Sequence, residues 1–456
     1  MNFKKDSVMN KINNLLIAFF PVLFASCGDD SADNPLFDNT EVPAIYISWQ
    51  ENMAVSVGDT IRLNPQISPS DGVTYKWLFN GEEISDTKDL LYVVTDFGEY
   101  RLDYEIERYG VKNSRTSVVL VTKPFEEKKY KKMSIAYLSK DGAISDIQWN
   151  SITHLILTSS VIQADGLPDL TLGETAINIP ALISTAHNYG VYVLIEYSGE
   201  LGSYINGAPV YASYNFYNAA VDATNRGAFI TKLVNFALEN NFDGINVYMD
   251  KAADGLFTNP VELRNFYEEL AAAVPDNGSV GKFHLSMSVV GGWTRASLQG
   301  VVDIPRYDWI NVLAYGAEDL TPGPHASQWF FTSEAEFWKE AGVDPERIAV
   351  AVPAFGLRYF GNVSDYTWGN LWQYTEYSGY RAICNQYPDA PGKNKIEVDN
   401  GLYYDGLNDV KQKAEYIVAQ GYAGMAVWTI DNDNKEAGKS LTYQINVSLG
   451  NSVLGN

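Results

Sequence analysis

From Met133 to the carboxyl end, short apolar runs alternate with helix-like stretches, and this alternation constrains the fold more than anything else in the chain. The runs are Ser134–Leu138, His154–Ser159, Tyr192–Tyr197, Gly244–Tyr248, His284–Val289, Trp309–Tyr315, Ile348–Pro353 and Gly424–Ile430. Strands that alternate with helices are the signature of an α/β architecture. Eight of them over residues 133–456 fit a (β/α)8 barrel with an insertion. In such a barrel, functional residues gather at the carboxyl ends of the strands.

Local signals between the runs support the reading. Asn259, Pro260 and Glu262 form a cap, a first-turn proline and a capping-box acid ahead of the apolar stretch Phe266–Val274. Glu262 therefore reads as a cap and not as a catalyst. The stretch from Phe360 to Asp405 is too long for a simple barrel loop. It carries Tyr366, Trp368, Trp372, Tyr374, Tyr377 and Tyr380, and reads as a small inserted subdomain walling a cleft.

Residues 41–123 have a different texture. Short alternating runs such as Asp59–Leu63 and Thr74–Leu78, separated by turn signals, predict an all-β sandwich. Asp96-Phe97-Gly98-Glu99-Tyr100-Arg101-Leu102 matches an immunoglobulin-type corner, with the Tyr100 hydroxyl bonding back to the backbone. Leu102 stands where antibody domains place a cysteine, so contact with Trp77 replaces the disulfide. The segment resembles a bacterial Ig-like module, for which a spacer role is expected. Residues 124–132, Pro124-Phe125-Glu126-Glu127-Lys128-Lys129-Tyr130-Lys131-Lys132, read as a charged linker.

The amino terminus reads as a processing segment. Lys4, Lys5 and Lys11 precede an apolar run, Leu15–Phe24, that is too short and too broken by Pro21 to span a bilayer. The run closes on Ala25-Ser26-Cys27, which resembles a bacterial lipobox with Cys27 lipidated. Residues 1–26 are then the signal peptide and 27–40 an acidic tether. An acidic run after such a cysteine resembles the signal that exports some Gram-negative lipoproteins to the cell surface. The expectation is a lipid anchor in the outer membrane, with surface and periplasmic placement both open.

Composition narrows the partners. A formal net charge of -23 disfavours nucleic acid, which is bound through Lys and Arg at phosphates, and suits a neutral ligand. With two cysteines and four widely spaced histidines, neither a disulfide framework, a metal site nor a cofactor is expected. An aromatic share of 13% favours ligands with broad apolar faces, sugars among them.

The segment after residue 133 resembles the family 18 glycoside hydrolases, the chitinases and endo-β-N-acetylglucosaminidases, which are TIM barrels. Thr153–Leu157 looks like the family's second strand, Trp309–Tyr315 its sixth and Ala351–Gly356 its seventh. Tyr404-Asp405-Gly406 and Gly421–Trp428 are similar to its last helix start and eighth strand. The family's catalytic strand reads Asp-Gly-x-Asp-x-Asp-x-Glu. Here Asp243 and Gly244 match, Asn246 and Tyr248 replace the second and third acids, and Asp250 replaces the terminal Glu. The resemblance implies that position 250 protonates the glycosidic oxygen. It also implies that position 248 orients the substrate's acetamido group, the internal nucleophile. Positions 246, 248 and 250 share one face of the strand, toward the barrel interior.

Each replacement weakens its role. Tyr248 offers no negative charge to a developing oxazolinium ion, and it is bulky enough to fill the acetamido pocket. Asp250 is one methylene short, and about 1 Å of misplacement can cost roughly a hundredfold in rate. Loss of neighbouring carboxylates also removes the repulsion that lifts an acid's pKa. Tyr315, which the resemblance places on the acetamido group, and Trp428, the floor of the central sugar subsite, are retained. Gly316, Tyr197–Glu200 and Lys251-Ala252 depart from the family pattern. The implied substrate-binding set is Asp243, Asn246, Tyr248, Tyr315, Trp428 and Trp293, with Asp250 at the acid position.

The expected function is binding of N-acetylglucosamine-containing glycans with hydrolysis impaired or lost. One alternative is an active glycosidase using Asp250, with Glu196, Glu200, Glu318 or Asp431 as a second carboxylate, although each of those four reads as a solvated loop charge. The other alternative is a protein-interaction scaffold.

Overall fold

The computed structural model describes residues 42–452, apart from 47–51, 140, 163–165, 167, 170–176, 199–201, 206–207, 211, 250–259 and 292–299. The amino-terminal signal and tether, Cys27, Glu200, Asp250 and Trp293 lie outside the described residues.

Eight strands close into a parallel barrel: β1 (Met133–Leu138), β2 (His154–Ile162), β3 (Tyr192–Ser198), β4 (Gly244–Tyr248), β5 (His284–Val290), β6 (Trp309–Leu313), β7 (Ile348–Pro353) and β8 (Gly424–Trp428). Each pairs with the next, and β8 returns to β1. The sixth and eighth strands stop two residues earlier than the apolar runs, at Leu313 and Trp428. Tyr315 is thereby released into the loop at the carboxyl end.

Period-two alternation divides the side chains. On β3, Val193, Ile195 and Tyr197 face outward and pack with Leu182, Ile183 and Phe229 from the surrounding helices. Tyr192 and Leu194 face inward with Ile135, Tyr137, Ile156, Tyr248, Trp309 and Ala426, filling the lumen as a second core. The seam between β8 and β1 is close. A Cβ on Gly424 would lie 2.1 Å from the Met133 carbonyl oxygen, so glycine is required there.

The helix Arg226–Glu239 begins with a buried guanidinium that meets Glu262 and Glu269 of the helix Pro260–Ala273, each at 2.7 Å. Glu262 is therefore structural, as the sequence implies, although its described partners are Arg226 and Asn265.

The amino-terminal domain is a sandwich. Asn52–Ser56, Val111–Thr122, Gly98–Arg108, Val73–Phe79 and Glu82–Ser85 form one sheet, and two short hairpin-like pairs cover it. The Tyr100 hydroxyl donates to the Phe97 carbonyl at 3.3 Å, which is the expected corner. Trp77 and Leu102 are both fully buried in one core.

This domain docks on the barrel at the carboxyl end of α1 (Ile179–Asn188), beside the amino end of β3. Asn188 accepts from the Lys123 amide at 2.9 Å and donates to the Val121 carbonyl at 3.3 Å, and Phe97 packs edge-on against Tyr189. Residues 124–132, the charged linker of the sequence reading, lie partly against the barrel. Lys128 is buried against the barrel and donates to the Trp149 and Ile152 carbonyls at 2.5 and 2.7 Å, and burial lowers its pKa to about 8. The sandwich is thus held at the end of the barrel opposite the strands' carboxyl ends.

The insertion starts at Phe355, five residues before the sequence placed it. Thr375–Gly379, Phe355–Tyr359, Leu402–Tyr403 and Lys395–Ile396 form an antiparallel sheet in that order. Leu357, Tyr359, Tyr366 and Leu371 give it a small core of its own. Trp368 and Trp372 project from it, 69% and 72% exposed. The stretch returns to the barrel at Asp405, ahead of the helix Leu407–Gln420.

Candidate functional site

The carboxyl ends of the strands carry an aromatic cup. Trp428, the last residue of β8, is half-buried at its centre. The Tyr137 ring lies 4.8 Å from it, and Tyr248 and Tyr315 each lie 6.1 Å away. Phe355 packs edge-on against Tyr315 at 5.7 Å, and it contacts both His325 and Tyr377. The Tyr377 hydroxyl donates to Glu318. Burial first, and Glu318 second, hold that phenol protonated. Tilted rings around one half-exposed indole make a broad apolar platform with hydroxyls at its edge, a surface that suits stacking on a sugar face.

Beneath the cup the lumen is polar, and its hub is Asn246. The Asn246 amide donates to Glu196 Oε2 at 2.7 Å and to Ser288 Oγ at 2.8 Å. Its carbonyl accepts from Ser286 Oγ at 2.7 Å and from Asn311 Nδ2 at 3.3 Å. Trp309 Nε1 donates to Asn311 Oδ1 at 3.0 Å, and Tyr137 and Ser288 share a hydrogen bond of 2.8 Å. Burial, with Glu196 second, pushes the Tyr137 pKa well up, so its phenol stays neutral. A fully satisfied buried network of this kind fixes the orientation of every member.

The expected site residues separate into layers. Tyr248, Tyr315 and Trp428 come together in the cup. Tyr248 is 8% exposed, packed in the lumen core beside Trp428, so its ring fills space at the pocket base. Asn246 is fully buried one layer lower, a scaffold residue and not a ligand contact. Asp243 is a clearer correction. It precedes β4 at the barrel's amino end, accepts from the Val193 amide at 2.8 Å and pairs with His187 Nε2 at 2.9 Å. That buried carboxylate staples α1, β3 and β4 together, far from the cup, because the strand runs its full length between the two.

The loop-charge reading of the alternative carboxylates also changes. Glu196 is 1% exposed inside the lumen. Asp431 accepts from the Ser139 amide at 3.0 Å and its hydroxyl at 2.8 Å, tying the loops after β1 and β8. Glu318 is engaged by Tyr377. Each of the three described candidates, Glu196, Asp431 and Glu318, is thus engaged by protein partners. Sequence reasoning missed Tyr137, Ser288, Asn311, His325 and Phe355, and it named Glu196 only as a solvated loop charge. Only Glu196 carried a signal, as a lone acid on the inward face of an apolar run.

Fold and site together define a parallel β/α-barrel protein with an aromatic cleft at the strands' carboxyl ends. Residues 126–433 match the family described as glycosyl hydrolases family 18, and residues 43–108 match the PKD-like domain. The chain belongs to glycosyl hydrolase family 18.

It is similar to a "Probable endochitinase" of Caenorhabditis elegans, 26% identical over 49% of this chain and 42% of that protein. A chitinase-like effector of Moniliophthora roreri is 25% identical over 58% of this chain and 68% of its own length. The chain thus spans less than half of the nematode relative and about two thirds of the fungal one. Among solved structures, a chitinase from Bacteroides thetaiotaomicron superposes with TM-score 0.56 at 21% identity, covering 71% of this chain and 98% of that one. A chitinase-like agglutinin from Robinia pseudoacacia superposes with TM-score 0.54 at 18% identity, covering 69% and 99%. These likenesses show the fold.

Proposed function

We propose that this protein is a lipid-anchored envelope protein that binds N-acetylglucosamine-containing glycans through its aromatic cup, with family-type hydrolysis impaired or lost. One observation carries the reading. At the top of β4 a buried tyrosine, Tyr248, occupies the third acidic position of the signature, the one that orients the acetamido group, 6.1 Å from a Trp428 floor that is still in place. A phenol there cannot stabilise a developing positive charge as a carboxylate does, while ring stacking needs no acid. Two relatives bearing the name chitinase-like effector are consistent with a barrel of this family working without hydrolysis.

Product analysis by mass spectrometry tests it, after prolonged incubation of the mature protein with chitooligosaccharides and N-glycans beside an Asp250→Ala variant. Intact substrates with both, and measurable binding, are expected. Cleavage that disappears in the variant would make this a hydrolase with Asp250 as its acid. Intact substrates without binding would favour a protein-interaction scaffold, the reading that a pocket base filled by Tyr248 also suits.

The anchor at Cys27 and placement at the outer membrane belong to the same proposal and rest on the lipobox-like Ala25-Ser26-Cys27. Labelled palmitate is expected to enter the wild type and not Cys27→Ser. Equal labelling of both would remove the anchor.

A further inference from the structure

The lumen holds a carboxylate on a strand where the family signature does not call for one. Glu196 on β3 sits in register opposite Asn246 on β4. Asn246 Nδ2 donates to Glu196 Oε2 at 2.7 Å, and Ser288 Oγ donates to the same oxygen at 3.4 Å. The amide of Asn246 cannot turn over without cost, because Ser286 and Asn311 both donate to its other end. Its NH2 group is therefore committed to Glu196 and Ser288.

We propose that Glu196 carries the lumen's buried carboxylate in place of the second acidic position of the signature, so that the charge has moved one strand over and Asn246 has become its donor. Glu196 is a positioning residue: it orders the pocket base through Asn246 and Ser288, below the layer that a ligand reaches. The two positions are then coupled. An aspartate at 246 would bring a second carboxylate to within hydrogen-bond distance of Glu196, where both cannot stay ionised. One of them would keep a proton that both lose in the unfolded chain. Glu196→Gln removes the charge, and Glu196→Gln with Asn246→Asp places it back on β4 with an amide facing it. Any return of an acid to position 246 therefore requires position 196 to give up its own.

The test is thermal unfolding of the mature protein and of Asn246→Asp, Glu196→Gln and the double exchange, at pH 5.5 and pH 8. Folded Asn246→Asp holds an extra proton, so its midpoint falls relative to wild type as pH rises, by several degrees more at pH 8 than at pH 5.5. The double exchange regains most of that loss, and its difference from wild type no longer depends on pH. If Asn246→Asp does not fold at all, recovery of a folded double exchange supports the coupling. Two results overturn it: Asn246→Asp tracking wild type at both pH values, or a double exchange no better than the worse single variant. The readout uses no glycan, so it stands apart from the outcome of the binding experiments.

Discussion

Lys413→Met is expected to destabilise the barrel by about 3–5 kcal/mol, the range for removing one partner of a buried ion pair. Lys413 Nζ donates to Asp405 Oδ2 and to the Ala326 carbonyl, both at 2.6 Å, and it is 1% exposed. The ammonium thus joins three segments: the loop after β6, the exit of the insertion and the helix Leu407–Gln420. Methionine keeps the packing volume and leaves Asp405 without its cation.

The pH dependence follows from that. Burial already raises the Asp405 pKa, and Lys413 opposes the rise. Without Lys413 the folded pKa moves further above the unfolded value of about 3.9, so the folded variant holds a proton that the unfolded chain has lost. Its stability is greatest below that value and falls as pH climbs through the new folded pKa. Denaturant midpoints at pH 5 and pH 8 are expected to show a larger deficit at pH 8. Lys413→Met with Asp405→Asn is expected to recover much of the loss at pH 8. A deficit equal at both pH values, with no recovery in the double variant, would mean that the cost is packing alone.

Trp428→Ala is expected to weaken chitooligosaccharide affinity at least about tenfold, the loss typical of removing a central aromatic anchor. The indole is contacted by Tyr137, Tyr248 and Tyr315 together, so its removal opens the middle of the platform. Trp428→Phe keeps a smaller face and is expected to lose less. Calorimetric titration with far-ultraviolet spectra of each variant separates binding from folding. Unchanged affinity in folded Trp428→Ala would remove the stacking floor, and the exposed Trp368 and Trp372 of the insertion would become the next surface to examine.

The barrel was legible in the chain because its evidence is local. A strand buried on both faces needs an apolar run, and the runs at Gly244–Tyr248 and Ile348–Pro353 coincide with strands β4 and β7 residue for residue. The Tyr100 corner was equally local, a turn and its hydroxyl within four residues. The family signature was readable for the same reason, as were the residues Asn246, Tyr248 and Asp250 at its acidic positions. What the chain determines by itself is thus the period of each segment and the chemistry available at the end of each strand.

The tertiary structure decided which of those groups meet. Asp243 looks like the first member of a catalytic motif, yet its partners, His187 and Val193, lie 56 and 50 residues away and make it a staple at the barrel floor. Glu196 looks like a loop charge until closure of the sheet brings Asn246 and Ser288 to it across 50 and 92 residues. The Phe360 boundary failed because Phe355–Tyr359 is apolar enough to read as the continuation of a barrel strand, and only its antiparallel partners assign it to the insertion. Periodicity says which face a residue takes, whereas the identity of its neighbour is a property of the closed barrel. For a buried carboxylate that neighbour sets the role, because a charge out of water is stable only with the donors that surround it.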